Sequence, residues 1–170
     1  HLGQTHYRRN DPLLARELLS EALLLCQEQG NRLYQAIALR GLAKTYLLTG
    51  ELKPARRHAR EAMQLFAEVR SRVHLAAALR TLGEITAAGA WGPGHSGKAV
   101  DYFMRSVALC KEIGNELETA KSYRAFARYV KSERDYADNE DIQREAATLD
   151  AMAQEIFDRR QLSKPSAPAQ

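Results

Sequence analysis

Residues 39–62 read Leu-Arg-Gly-Leu-Ala-Lys-Thr-Tyr-Leu-Leu-Thr-Gly-Glu-Leu-Lys-Pro-Ala-Arg-Arg-His-Ala-Arg-Glu-Ala. Apolar and small residues at Leu39, Leu42, Ala43 and Tyr46 share one helical face, Gly50 stops that helix, and Ala55, Ala59 and Ala62 mark a second. Small residues at i, i+4 and i+7 let two helices cross closely, so the stretch predicts a helical hairpin. The same anchor recurs as Leu2-Gly3, Leu42-Ala43, Leu82-Gly83 and Phe126-Ala127, at offsets of 40 (42−2), 40 (82−42) and 44 (126−82). Ala15 and Ala22 follow Leu2 as Ala55 and Ala62 follow Leu42. Ala99 and Ser106 follow Leu82 if the segment around Trp91 to Lys98 holds four extra residues (99−82 = 17, against 55−42 = 13). That one insertion also accounts for the late fourth anchor. Self-similarity at such a period is the mark of a solenoid, in which each hairpin buries the apolar stripe of its neighbour.

This pattern resembles the tetratricopeptide repeat: a large residue, Leu-Gly and Tyr on a first helix, then Ala, an aromatic and Ala on a second. The second unit supplies Leu39, Leu42-Ala43, Tyr46, Gly50, Ala55, Ala59 and Ala62, and the third Leu79, Leu82-Gly83, Thr86, Ala99, Phe103 and Ser106. His6, Tyr46, Thr86 and Val130 occupy the tyrosine position, so the third and fourth units depart from the signature there. A unit of 40 residues is similar to an extended subclass of the family. It includes the spindle-orientation adaptors built from Leu-Gly-Asn repeats and the sensor regions of maltose-regulator-type bacterial activators. Gly30-Asn31 and Gly114-Asn115, with Arg70-Ser71 between them, fall where that subclass often places Gly-Asn. HEAT repeats share the period, but small residues at the helix crossings favour the tetratricopeptide reading.

The expected fold is all-α, a right-handed superhelix of about four antiparallel helix hairpins. Residues 1–160 form the repeat domain, with units near 1–30, 31–70, 71–114 and 115–160. The first hairpin has a fragment up to about Arg9 and a helix from Pro12 to Gln29, opened by Asn10-Asp11-Pro12. The others run Leu33–Thr49 with Lys53–Val69, Val73–Ala88 with Lys98–Ile113, and Leu117–Lys131 with Glu140 to about Arg160. Charge at Glu140, Asp141, Arg144, Glu145, Asp150 and Glu155 is expected to solvate the outer face of the last helix. Residues 161–170 read as a flexible tail or linker containing Pro165 and Pro168.

With 170 residues, 45% of them hydrophobic, the chain can bury one continuous core. No run of apolar residues reaches membrane-spanning length, and no basic segment followed by an apolar one opens the chain. The expected location is cytoplasmic with no membrane association. The first residue falls just before an anchor, which suggests an excerpt of a larger protein, and the arginine-alanine richness hints at a bacterial source. Cys26 and Cys110 sit at repeat-equivalent positions two units apart, too far to bridge, and read as small buried thiols.

Gly92 to Lys98 reads Gly-Pro-Gly-His-Ser-Gly-Lys, the first part of a phosphate-binding loop. Ala99 follows where the magnesium-binding hydroxyl belongs, and no strand precedes it, so a glycine-rich insertion is the better reading. Anion binding at the start of the helix from Lys98 is the residual chemistry. Trp91 in that loop is either a binding anchor or a lid over its own hairpin. His1, His6, His58, His74 and His95 are dispersed, and no nucleophile motif occurs, so no metal, no cofactor and no catalytic residue are expected.

The resemblance implies that first helices line a concave groove, with positions two before, two after and five after the anchor facing it. These are Arg40, Arg80 and Arg124; then Gln4, Lys44, Glu84 and Arg128; then Tyr7, Leu47, Ala87 and Lys131. Arg40, Lys44, Arg80, Arg124, Arg128 and Lys131 therefore make a basic groove with Glu84 as its acid. Arginine binds carboxylate bidentately and a concave wall focuses its field, so an acidic peptide or partner segment is the expected ligand. Net charge is +4, but 21 acids are interleaved with the 25 bases, and no aromatic-basic platform argues for nucleic acid. The expected function is a non-enzymatic protein-interaction scaffold within a larger, bacterial signalling or regulatory protein, able to self-associate through its terminal repeats. The alternative is a regulatory sensor segment that binds a small ligand or an attached kinase, cyclase or DNA-binding domain.

Overall fold

The computed structural model describes residues 11–89 and 95–162. Seven α-helices occur there: α1 Pro12–Glu28, α2 Arg32–Leu48, α3 Leu52–Glu68, α4 Arg72–Ala88, α5 His95–Glu112, α6 Glu116–Ser132 and α7 Glu140–Leu162. A single 3-10 turn, Arg134–Tyr136, precedes α7, and the described residues contain no strand. Each helix packs on the next in sequence, and the first helices of successive hairpins also meet, α2 on α4 and α4 on α6. The fold is an all-α helical-repeat solenoid. The Leu2-Gly3 anchor, the fragment up to Arg9, Trp91 and residues 163–170 of the expected tail lie outside the described residues.

Helix ends repeat as well. Asp11, Asn31, Asn115 and Asn139 accept from the backbone N–H three residues ahead, at Leu14, Tyr34, Glu118 and Ile142. Gly30, Gly50 and Gly114 end helices in the left-handed region, and Arg70 does the same at φ 53°. The following N–H groups of Asn31, Glu51, Ser71 and Asn115 then reach back to Cys26, Tyr46, Phe66 and Cys110 carbonyls at 2.9–3.1 Å.

The small-residue crossings are tight: Ala15, Ala55, Ala59, Ala62, Ala99 and Ser106 are all fully buried. Ala146 and Ala153, also fully buried, supply the pair for the fourth hairpin. They come seven residues late (146−126 = 20, against 55−42 = 13): the connection 133–139 with its 3-10 turn is four residues longer than 49–51, and α7 begins three residues further ahead of its first alanine (146−140 = 6, against 55−52 = 3). Surface ion pairs obey the same register. Arg32 pairs with Glu68 and Arg72 with Glu112, each joining the start of a first helix to the end of its second. At the equivalent places in the fourth hairpin, Glu116 pairs with Arg159 at 3.6 Å, with the charges exchanged.

Three details differ from the expectation. Helix α5 begins at His95 rather than Lys98, so Gly97 and Lys98 already lie in its first turn. The element before it is helix α4, not the strand that a phosphate-binding loop follows, and residues 90–94 lie outside the described residues. Helix α7 continues to Leu162, past the expected end at about Arg160. Cys26 is half-buried rather than buried, because among the described residues α1 packs mainly on α2, whereas Cys110 is fully enclosed; both thiols are free.

Candidate functional site

Helices α2, α4 and α6 carry the six basic residues singled out in the sequence. Arg40 and Lys44 are half-buried on α2, Arg80 and Arg124 are half-buried on α4 and α6, and Arg128 and Lys131 are exposed on α6. Arg40 and Arg80 both face the next first helix, whereas Arg124 turns to α7, the second helix of its own hairpin. Arg40 places its charge near His74 on α4, which with burial as the larger cause holds the His74 ring below its ordinary pKa. Arg80 reaches the same position of α6, where Nη2 meets Glu118 Oε2 at 2.9 Å and Nη1 donates to Ser122 Oγ at 3.1 Å. The separations, 34 (74−40) and 38 (118−80), differ by the four inserted residues.

Arg80 is thereby nearly closed off, with 11% of its side chain exposed and 16% of Glu118. Burial alone would raise the Glu118 pKa, but the Lys121 hydrogen bond at 2.6 Å and the Arg80 charge overcome it and hold the carboxyl below its ordinary value. Its neighbourhood is a polar seam inside the solenoid: Ser122 donates to the Glu118 carbonyl, and Ser106 shares a 2.8 Å hydrogen bond with Ser122.

The structure brings together Arg124, Arg128 and Lys131. They line an open groove of about 580 Å³ with Ala147, Asp150, Ala151 and Gln154 of α7. Arg124 lies over the Phe157 ring, 4.3 Å from its centre, and donates to Gln154 Oε1 at 2.6 Å. Lys131 Nζ meets Asp150 Oδ2 at 2.8 Å, the chief cause of a lowered Asp150 pKa, with Arg124 and Arg128 adding to it. Three cations face one carboxylate, a net charge of 3−1 = +2.

Two residues of this surface escaped the sequence reading. Glu118 hides in the first turn of α6 behind its Asn115 cap, where a capping role explains it. Asp150 was assigned to a solvated outer face, yet it points at the groove. By register it takes the place of Phe103 and Ala59 (150−126−7 = 17, 103−82−4 = 17, 59−42 = 17). The fully buried Ala146 and Ala153 on either side of it were the signal available.

No group of three His, Cys, Asp or Glu among the described residues could hold a metal ion. No helix among them is long and apolar enough to cross a membrane.

A stack of helical hairpins, each packed on the next, defines a helical-repeat protein. The family model for the tetratricopeptide repeat matches residues 1–68, ending where α3 ends, and the chain carries a tetratricopeptide repeat domain. No curated protein matches the chain. The repeat is a non-catalytic one that generally mediates protein–protein interaction.

Proposed function

We propose that this domain is the docking scaffold of a larger signalling or regulatory protein. It takes an acidic segment of a partner protein along its first helices, with Arg124, Arg128 and Lys131 as the principal contacts. The observation that carries this reading is the +2 groove between α6 and α7, open where Arg80 is closed. Arg80 with Glu118 is an internal example of the contact: a guanidinium meeting a carboxylate presented by a helix laid beside it. Arg40 and Lys44 extend the basic surface on α2, while Arg80 acts by holding α4 to α6 rather than by touching the partner.

The test is fluorescence anisotropy with a labelled oligoglutamate peptide. Arg128→Glu with Lys131→Glu should lower affinity by about tenfold or more, and Asp150→Asn should raise it, because the competing internal acid is gone. Affinity unaffected by both changes, with helix content retained, refutes the groove.

A further inference from the structure

A second basic site lies on the second helices, away from that groove. On α3, Lys53, Arg56, Arg57 and Arg60 stand at i, i+3, i+4 and i+7 and so share one face. Across from it, α5 presents Lys98, Asp101 and Arg105 at i, i+3 and i+7. The cleft between the helices has a volume of about 290 Å³ and is lined by Arg56, Arg60, Lys98, Asp101, Tyr102 and Arg105. Four cations face one acid, a net charge of 4−1 = +3, and that acid is engaged by Arg105 at 3.5 Å. Like charges at these spacings destabilise a helix. An anion seated between the two walls removes the repulsion.

The charge is confined to these two helices. Forty residues earlier, α1 offers Leu13, Arg16, Glu17 and Ser20 in place of Lys53, Arg56, Arg57 and Arg60, and Arg16 is paired with Glu51 at 3.2 Å. In α7, the register set by Ala146 and Ala153 gives Arg144, Ala147, Thr148 and Ala151. A polymer lying along the array needs a continuous track. An adjoining pocket of about 470 Å³ shares Arg56 and Arg60 and adds Lys53, Arg57, Glu61 and Gln64, but the charge stays on α3 and α5, and only this cleft joins the two helices. At about 30 Å³ per water it holds roughly ten waters, or an anion with a similar number of heavy atoms. Guanidinium forks on one wall match the oxygens of a phosphoryl group.

We propose that the cleft between α3 and α5 binds a compact, multiply charged phosphorylated anion, with Arg56, Arg60, Lys98 and Arg105 contacting its oxygens. Titration calorimetry with inorganic pyrophosphate tests this on the wild-type chain and on two variants. One-to-one binding is expected, weakened about tenfold or more in Arg60→Gln/Lys98→Gln, whose side chains are exposed so that the fold is kept. Arg32→Gln, an exposed arginine of α2 that lines neither site, should bind as the wild type does. Absence of saturable binding, or an equal loss in Arg32→Gln, overturns the proposal. So does an oligothymidylate that displaces pyrophosphate with affinity rising with its length, since that signals a track. None of these variants touches the α6–α7 groove, so either reading can fail alone.

Discussion

Arg80 of α4 and Glu118 of α6 form an ion pair enclosed between two first helices, 2.9 Å apart and each less than one-fifth exposed. Removing one member of such a pair strands the other, whereas replacing both by apolar groups does not. Arg80→Met should therefore destabilise the domain by about 2 kcal/mol, less than for a fully buried pair because Lys121 still holds Glu118. Arg80→Met with Glu118→Leu should recover much of that loss. Urea unfolding of the two variants measures the difference; a double variant as weak as the single one contradicts the pairing argument.

Acid should weaken the fold in two stages. His58 and His74 are held below their ordinary pKa by burial first, and then by the neighbouring charges of Arg57 and Arg40. Both rings stack on aromatics, His58 on Tyr46 and His74 on Phe66. A histidine with a depressed folded pKa takes up its proton more readily unfolded, so its contribution is present above about pH 6.5 and fades as pH falls below that. Glu118 and Asp150, also depressed, contribute above the ordinary carboxylate range of about 4 and lose it as pH falls through their folded values. Unfolding midpoints should decline between about pH 7 and 5.5, and His58→Phe/His74→Phe should flatten that first decline. Equal slopes in the two proteins would exclude the histidines as its source.

Much of the architecture was legible because helix crossings tolerate only small residues, and Ala15, Ala55, Ala62, Ala99 and Ser106 are spaced alike in every well-kept unit. The shared direction of Arg40 and Arg80 was legible for the same reason, since positions equivalent in a repeat face equivalent ways; Arg124 meets α7 instead. What faces them was not. Glu118 reads locally as a capping residue, and its meeting with Arg80 depends on how far α6 lies along α4. Asp150 is displaced from the common register by seven residues, four in the connection with the 3-10 turn and three in the first turn of α7. A charge-bearing helix with a shifted register looks like a solvated cap until its two buried alanines are aligned with the others.

Gly83 and Phe103 show how the solenoid trades volume between units. A Cβ on Gly83 would lie 2.7–2.9 Å from three ring carbons of Phe103. The ring is itself fixed edge-on to Phe126 and tilted against Tyr129. In the preceding hairpin the equivalent residues are Ala43 and Ala59, where a small partner permits the methyl group. Gly83→Ala should cost about 1–3 kcal/mol by overpacking despite its better helix propensity. Adding Phe103→Leu should return part of that loss. Calorimetric melting of the pair decides it: a stabilised Gly83→Ala shows that the ring can move aside.

Arg70 occupies the turn position that Gly30, Gly50 and Gly114 fill elsewhere, and it adopts the same left-handed backbone at φ 53°. The turn needs that conformation, because only then does the Ser71 N–H reach the Phe66 carbonyl at 2.9 Å and end α3. For a residue with a Cβ the left-handed region costs about 1–2 kcal/mol, and glycine escapes it. Glycine also loosens the unfolded chain, which returns about 0.4–1 kcal/mol of that gain. The Arg70 side chain is exposed, so little packing is lost with it. Arg70→Gly should accordingly stabilise the domain by about 0.5–1 kcal/mol, and Arg70→Asn by less, since asparagine tolerates the left-handed region only in part. Urea denaturation is precise enough to rank the three proteins. A glycine variant weaker than the parent would mean that the arginine contributes more to this turn than its backbone costs.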